Sequence, residues 1–135
     1  MTLEVRVDKS MKILVVDDFP PMRRIITKLL SDLGFTDIEE ADDGLTALPM
    51  LMTGKFDFLV TDWNMPGMEG IELLKAVRGE PSIAALPTLM VTTEARREQI
   101  LLAAEAGVDG YVVKPFTAQI LQQKIDEIFE RLQAA

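Results

Sequence analysis

Short apolar runs alternate along the chain with longer segments whose apolar residues recur at helical spacing. Four of these runs carry few polar residues, which is typical of strands buried on both faces; they span residues 13–16, 58–61, 89–92 and 111–113. A fifth segment, around Ile38, is too polar for a central strand because acidic residues flank it, so it suits a sheet edge. Strands that alternate with helical segments predict an α/β fold with a mostly parallel sheet.

Five segments of helical periodicity separate or follow these strands, and prolines mark two of them. Pro20 and Pro21 suit the first turn of the first helix, since that turn leaves its backbone N–H groups unpaired. Pro49 removes a backbone donor from the second segment, so we expect that helix to be kinked or shortened. Thr117 is a suitable cap for the last helix. The predicted helical segments are residues 22–33, 44–53, 71–77, 94–106 and 121–132.

The composition favours a single domain located in the cytoplasm. With 135 residues, 48% of them hydrophobic, the chain can bury one core. We expect residues 1–10 to be a short tail and residues 11–135 to form a monomeric domain. The tail is polar and no apolar run is long enough to span a bilayer, so we expect neither a signal peptide nor a membrane partner.

Charge and the missing residue types narrow the chemistry further. Twenty-two acidic residues against 14 basic residues give a net charge of -8, which disfavours nucleic acid as a partner. The chain has no histidine and no cysteine, so the commonest general base and the commonest zinc ligands are absent. Carboxylates, hydroxyls and lysine are therefore left to carry any chemistry.

Polar residues follow the predicted strands at one edge of the sheet. Asp17 and Asp18 end the first strand, Asp62 the third, Thr92 the fourth and Lys114 the fifth. In a doubly wound sheet, ligands collect at the carboxyl ends of the strands. Three carboxylates at this edge would repel one another unless a hard divalent cation lay between them, and Mg²⁺ prefers such oxygen ligands.

The same residues are suited to phosphoryl transfer, which depends on positioning and on neutralising charge around phosphorus. In that scheme Asp62 attacks phosphorus, Lys114 holds one phosphoryl oxygen and the Thr92 hydroxyl donates to another. Each residue taken alone fits a turn, a cap or a surface position. Their combination at neighbouring strand ends is what indicates chemistry.

Five segments resemble the receiver domains of bacterial response regulators, and most closely the single-domain chemotaxis regulators of the CheY type. The resemblance covers roughly residues 11 to 132 and implies a flavodoxin-like, doubly wound parallel sheet of five strands, in the order 2-1-3-4-5, with five helices. The matching segments are VVDDF (15–19), MRRI (22–25), TDWNMPGMEG (61–70), LMVTTEA (89–95) and GYVVKPF (110–116).

The resemblance implies a role for each acidic residue at the sheet edge. Asp62 matches the phosphorylated aspartate, and Asp18 matches a direct Mg²⁺ ligand. Asp17 matches a carboxylate that reaches the metal through water. The backbone carbonyl of Asn64 would complete the metal site.

The phosphoryl-contacting and tuning positions are also implied by the resemblance. Thr92 and Lys114 match the two residues that contact the phosphoryl group, and the bond between Lys114 and Pro115 is cis in this family. Asn64 and Glu94 match positions that set how readily water removes the phosphoryl group. This pair also occurs in chemotaxis regulators that lose the group quickly.

The resemblance further implies a switch and a set of partners. Thr92 would move toward the phosphoryl group and Tyr111 would swing inward, which remodels the face made by the fourth helix, fifth strand and fifth helix. Ile100, Tyr111, Val113 and Lys124 match positions that contact the flagellar motor switch protein. A chemotaxis-type sensor histidine kinase would supply the phosphoryl group, and the need for a dedicated phosphatase is left open. We expect Trp63, beside the acceptor, to be a partly exposed loop residue.

Alternative functions differ in the further residues that they need. A small aspartyl-phosphate phosphatase would need a second acid or base carboxylate and a substrate-selecting cap, and the sequence indicates neither. A flavin-binding electron carrier would need a phosphate loop after the first strand, where Asp17 and Asp18 would repel phosphate. A stand-alone receiver in a non-chemotactic phosphorelay keeps the same residues and stays open. As a receiver, the protein would be a phosphoacceptor that catalyses its own phosphorylation and dephosphorylation, not a conventional enzyme.

Overall fold

Five parallel strands form one sheet in the order β2-β1-β3-β4-β5, in a computed structural model that describes residues 7–93 and 96–134. This is the fold class and strand order that the resemblance implies, so that prediction is confirmed. The strands are β1 (Lys12–Val16), β2 (Asp37–Ala41), β3 (Phe58–Asp62), β4 (Thr88–Thr92) and β5 (Gly110–Val113). The helices are α1 (Pro20–Asp32), α2 (Gly44–Leu51), α3 (Gly70–Gly79), α4 (Arg97–Glu105) and α5 (Ala118–Ala134).

Helices cover both faces of the sheet, which explains why the central strands are apolar throughout. In β1, Ile13 and Val15 pack in one core cluster with residues of α1 and α5. Leu14 and Val16 point to the other face and pack with residues of α2 and α3. A third cluster joins the β3–α3 loop, α3, β4 and α4. Because successive side chains of a strand point to opposite faces, a strand covered on both sides needs apolar residues at every position.

The two edge strands differ from the central strands. β2 lies at one edge and is largely half-exposed, as its acidic residues predict. β5 lies at the other edge, and the expectation that residues 111–113 are buried on both faces is wrong. Only Val112 is buried, under α5, whereas Tyr111 and Val113 are half-exposed. The reason is that an edge strand has a neighbour on one side only, and α4 leaves a groove beside Tyr111.

Helix ends follow the predicted proline and cap positions. α1 begins at Pro20 with Pro21 in its first turn, and the Ile120 N–H donates to Thr117 Oγ1 at 3.1 Å before α5 continues. α2 contains Pro49 and ends two residues later, so it is shorter than the predicted segment. Within the described part of the chain, no helix combines the length and apolar character that crossing a membrane requires.

Candidate functional site

Three carboxylates meet at the carboxyl edge of the sheet. β1 and β3 are neighbours with Val16 paired to Thr61, so the residues that follow these strands lie side by side. One carboxylate oxygen from each of Asp17, Asp18 and Asp62 lies within 4.8 Å of the other two. Asp17 and Asp62 are buried, whereas Asp18 is exposed. The structure therefore brings together the three residues that the sequence predicts as metal-binding carboxylates.

Lys114 extends its side chain into the same group of carboxylates. Its backbone N–H donates to the Thr92 carbonyl at 2.7 Å, which holds the residue at the end of β5. Its ammonium donates to Asp17 Oδ2 at 2.9 Å and lies 3.5 Å from Asp62 Oδ1. The Lys114–Pro115 peptide bond is cis, as the resemblance implies. One cation thus lies between two buried carboxylates that come from different strands.

The environment of Asp62 raises the pKa of its carboxyl group to about 6. Burial is the main cause, because a low-dielectric surrounding disfavours the charged form. The Lys114 ammonium opposes this rise, and the Asp17 carboxylate adds to it. The Trp63 N–H donates to Asp62 Oδ1 at 2.8 Å and favours the ionised carboxylate. Asp62 is therefore ionised mainly above about pH 6 in the metal-free protein.

The donor set fits a hard divalent cation. The three clustered side chains all offer carboxylate oxygens, and three carboxylates against one ammonium leave an excess of negative charge. A divalent cation offsets that excess and replaces the water that the two buried carboxylates have lost. Asp17, Asp18 and Asp62 could therefore hold a metal ion at this edge.

The other predicted site residues lie around this group. Thr92 is fully buried at the end of β4 and pairs in register with Val113 of β5. Asn64 is exposed in the β3–α3 loop, two residues after Asp62. Glu94 lies outside the described residues. The phosphoryl, carbonyl and dephosphorylation roles implied for these residues stay predictions.

Trp63 corrects an expectation based on sequence. It is 6% exposed, not a partly exposed loop residue. Its ring packs in the third cluster with Leu74 of α3 and Ala103 of α4, which cover it. The ring centroid lies 6.5 Å from that of Tyr111, with the planes at 73°. The aromatic residue next to Asp62 is therefore in edge contact with the predicted switch residue.

Gly70 is a site residue that the sequence analysis missed. Its N–H donates to the Trp63 carbonyl at 2.8 Å, which brings the start of α3 against the end of β3. A Cβ atom at this position would lie 1.9 Å from the Asp62 carbonyl oxygen. Only glycine permits this approach of two backbone segments. The available signal was a glycine at the start of a helical segment that directly follows the loop after Asp62.

The residues predicted to contact a partner line two adjoining grooves on the α4, β5 and α5 face. Ile100, Tyr111 and Lys124 contribute to a groove of about 550 Å³. Tyr111 and Lys124 also line a second groove of about 460 Å³ together with Val113. The structure thus brings all four predicted contact residues onto one surface. That surface is separate from the carboxylate group but adjoins the strand ends that carry Thr92 and Lys114.

Comparisons with known proteins identify the family of this chain. The family model for the response regulator receiver domain matches residues 13–126. The chain is 64% identical over 130 residues to the chemotaxis protein CheY-3 of Vibrio cholerae, covering 96% of this chain and 100% of that protein. It is 70% identical over 122 residues to the chemotaxis protein CheY of Pseudomonas aeruginosa, covering 90% of this chain and 98% of that protein.

A solved structure of a related protein has the same fold as this chain. The chemotaxis protein CheY4 of Vibrio cholerae aligns with a TM-score of 0.81 at 35% identity, covering 88% of this chain and 98% of that one. This likeness agrees with the fold described above. The chain belongs to the response regulator receiver domain family and is of the CheY chemotaxis type.

Proposed function

We propose that this protein is a chemotaxis response regulator that accepts a phosphoryl group on Asp62 and signals by binding another protein in the cytoplasm. The main support is the position of the Lys114 ammonium, 2.9 Å from Asp17 Oδ2 and 3.5 Å from Asp62 Oδ1, beside three clustered carboxylates. A buried lysine that faces a nucleophile and a metal-binding group is the arrangement that phosphoryl transfer needs.

The proposed reaction transfers a phosphoryl group from a phosphohistidine of a sensor kinase. An Asp62 carboxylate oxygen attacks phosphorus, the P–N bond breaks, and its electron pair leaves with the imidazole, which takes up a proton. The product is an acyl phosphate on Asp62. Lys114 would hold one phosphoryl oxygen and the Thr92 hydroxyl would donate to another. Mg²⁺, held by Asp17, Asp18, Asp62 and the Asn64 carbonyl, would supply further neutralisation of the phosphoryl charge.

The protein would act as a self-catalysing phosphoacceptor, not as an enzyme with a released product of its own. Hydrolysis of the acyl phosphate would restore Asp62, with Asn64 and Glu94 controlling the approach of water. The lifetime of the signal would then depend on these two side chains and on any dedicated phosphatase.

The proposed output surface is the α4, β5 and α5 face, and the proposed partner is the flagellar motor switch protein. Tyr111 supports this assignment because it lines both grooves of that face while its ring contacts Trp63 beside the acceptor. Movement of Thr92 toward a phosphoryl group would allow Tyr111 to turn inward. Since coupling between two sites is reciprocal, binding of the partner should also favour phosphorylation.

Phosphorylation is tested with a small phosphodonor, acetyl phosphate, in the presence of Mg²⁺. The wild type should gain one base-labile phosphoryl group by intact mass, and Asp62→Asn should gain none. Asp57→Asn is the matched control, because Asp57 is an exposed aspartate that accepts from the Lys12 N–H. This variant should behave as the wild type does. Phosphorylation that persists in Asp62→Asn would refute the assignment of the acceptor.

The choice of partner is tested separately with purified motor switch protein. Its affinity for this protein should rise on phosphorylation, and substitution Tyr111→Ala should reduce that rise. If phosphorylation is normal but the affinity does not change, the chain would instead serve a phosphorelay outside chemotaxis.

A further inference from the structure

The guanidinium of Arg78, in the last turn of α3, uses all five of its N–H groups within the protein. Nε and Nη2 donate to the Gly107 carbonyl at 3.0 and 2.8 Å. Nη1 donates to the carbonyls of Ala84 and Leu86 at 3.0 and 2.7 Å. The second Nη2 proton goes to Asp109 Oδ2 at 3.0 Å. One side chain thus ties α3 to the α3–β4 loop and to the α4–β5 loop.

Asp109 extends this network to the start of β4 and to α5. Its Oδ2 also accepts from the Thr88 N–H at 2.8 Å, and its own N–H donates to the Thr88 carbonyl at 3.0 Å. Its carbonyl accepts a hydrogen bond from Arg131 of α5. Asp109 directly precedes β5 (Gly110–Val113). The first residue before this edge strand is therefore held by α3, β4 and α5 together.

The geometry requires arginine at residue 78 and a small residue at residue 107. A lysine has three donors without the planar fork, so it cannot reproduce five hydrogen bonds to four groups. Gly107 has a φ of 93°, and a Cβ atom there would lie 3.1 Å from Arg78 Nε. Both the backbone conformation and the close approach of the guanidinium favour glycine. The network around Arg78 therefore restricts the residue types at positions 78 and 107 more than an ordinary surface ion pair would.

The cluster lies at the opposite end of β5 from the proposed phosphoryl site. Lys114 directly follows β5 at its carboxyl end, where its N–H donates to Thr92. Asp109 precedes β5 at its amino end, and Tyr111 lies between the two ends. Asp109, Tyr111 and Arg131 also line the same 550 Å³ groove. If a change near Lys114 displaced the carboxyl end of β5, an anchored amino end would confine the displacement to the residues between the two ends, which include Tyr111.

We propose that Arg78 and Asp109 are positioning residues for Tyr111: they anchor the amino end of β5 so that phosphorylation moves the Tyr111 ring without displacing the whole strand. The role in switching rests on the proposed function. The anchoring of β5 is a property of the unphosphorylated protein and does not depend on it. The Arg78–Asp109 pair links α3 to the α4, β5 and α5 face. The group of three carboxylates does not depend on this link.

The anchoring is tested in the free protein by amide hydrogen exchange of Arg78→Lys. Because several charge-assisted hydrogen bonds are lost, exchange at Val112, whose N–H faces β4, should rise by about tenfold or more relative to the central strand β3. Arg24→Lys, at an exposed position on α1, is the matched control and should change neither strand. Equal acceleration in β3 and β5 would mean a general loss of stability and would overturn the proposal.

The coupling is tested by phosphoryl uptake and Trp63 fluorescence in the same variant. Arg78→Lys should accept as much phosphoryl group from acetyl phosphate as the wild type. The Trp63 fluorescence change on phosphorylation should fall by at least half, since Trp63 contacts Tyr111. An undiminished fluorescence change, or a fall in uptake that matches the fall in fluorescence, would contradict the positioning role.

A second variant covers the case in which Arg78→Lys does not fold. Asp109→Asn leaves the Arg78 contacts to Gly107, Ala84 and Leu86 in place and removes only the charged acceptor. Asp109→Asn should also speed exchange in β5 relative to β3 and reduce the Trp63 fluorescence change. Both changes should be smaller than those in Arg78→Lys. A wild type that takes up no phosphoryl group would refute the proposed function, and the exchange measurement on the free protein would still decide whether the anchor exists.

Discussion

The Asp62 carboxylate combines burial with a neighbouring negative charge, and both act against its ionised form. Its pKa of about 6 exceeds the usual 3.8 of an aspartate. Between these two values the folded protein binds more protons than the unfolded chain does, so stability falls as the pH rises through that window. The destabilisation is absent below pH 3.8 and complete above pH 6. The ionised Asp62 carboxylate therefore lowers the stability of the folded protein when no cation offsets its charge.

Asp62→Asn should stabilise the metal-free protein at pH 7.5, because it removes the buried charge. We expect a gain of about 1 to 2 kcal/mol in the free energy of unfolding, discounted for the solvent contact that the carboxylate retains. Below pH 3.8 the two proteins should have equal stability. Urea denaturation in the presence of a chelator measures this difference. Asp57→Asn, an exposed substitution, should give no such pH-dependent gain, and a gain in Asp62→Asn that is the same at both pH values would contradict the explanation.

Lys114→Ala should affect phosphorylation and metal binding in opposite directions. Loss of the ammonium removes a stabilising contact to the phosphoryl group, so the phosphorylation rate should fall by about 10²-fold. The same loss leaves the carboxylates less neutralised, and Mg²⁺ should bind more tightly. Trp63 fluorescence during Mg²⁺ titration and intact mass with acetyl phosphate measure the two effects. Lys28→Ala, an exposed residue of α1, is the control; weaker Mg²⁺ binding in Lys114→Ala would mean that the lysine acts chiefly on folding.

At the scale of elements, β3 and α3 depend on a close backbone contact. Gly70→Ala would place a Cβ atom 1.9 Å from the Asp62 carbonyl oxygen. We expect a loss of about 1 to 3 kcal/mol in stability together with slower phosphorylation, because the start of α3 must move away from the acceptor. Thermal denaturation and phosphoryl uptake measure both.

Gly79→Ala, in the last turn of the same helix, is the matched control for this prediction. A Cβ atom there meets nothing within 4 Å. Alanine should stabilise this exposed position by up to about 1 kcal/mol through its better helix propensity. If both alanine variants had the same stability, the contact between α3 and Asp62 would not be essential.

The helices and strands themselves were largely predictable from local pattern. The strand ends at Asp17 and Asp62 follow from apolar runs that stop at a carboxylate, and the shortened α2 follows from Pro49. β5 was predicted as an apolar strand, yet its apolar residues did not indicate that one face would stay open. Edge position depends on which strands pair, and periodicity within a strand carries no information about that.

At the scale of the whole molecule, the group of three carboxylates forms only because β1 and β3 are neighbours. Asp18 is its exposed member. Saturating Mg²⁺ should therefore raise the melting temperature of the wild type. A ligand whose free concentration is 100 times its dissociation constant stabilises a folded protein by about 2.7 kcal/mol. Asp18→Asn should lose most of that rise. Thermal denaturation with Mg²⁺ and with a chelator measures it; an equal rise in the variant would place the cation elsewhere.

The sequence by itself determined the fold class, the strand order through its family resemblance, and the residues that follow each strand. These features depend on local periodicity, turn chemistry and short motifs, all of which are properties of short segments of the sequence. Only the tertiary structure decided that Trp63 is buried, that Gly70 contacts the Asp62 backbone in β3 and that Arg78 pairs with Asp109. The physical reason is that burial and hydrogen bonding between distant residues depend on which elements pack together, and no local pattern specifies the partner.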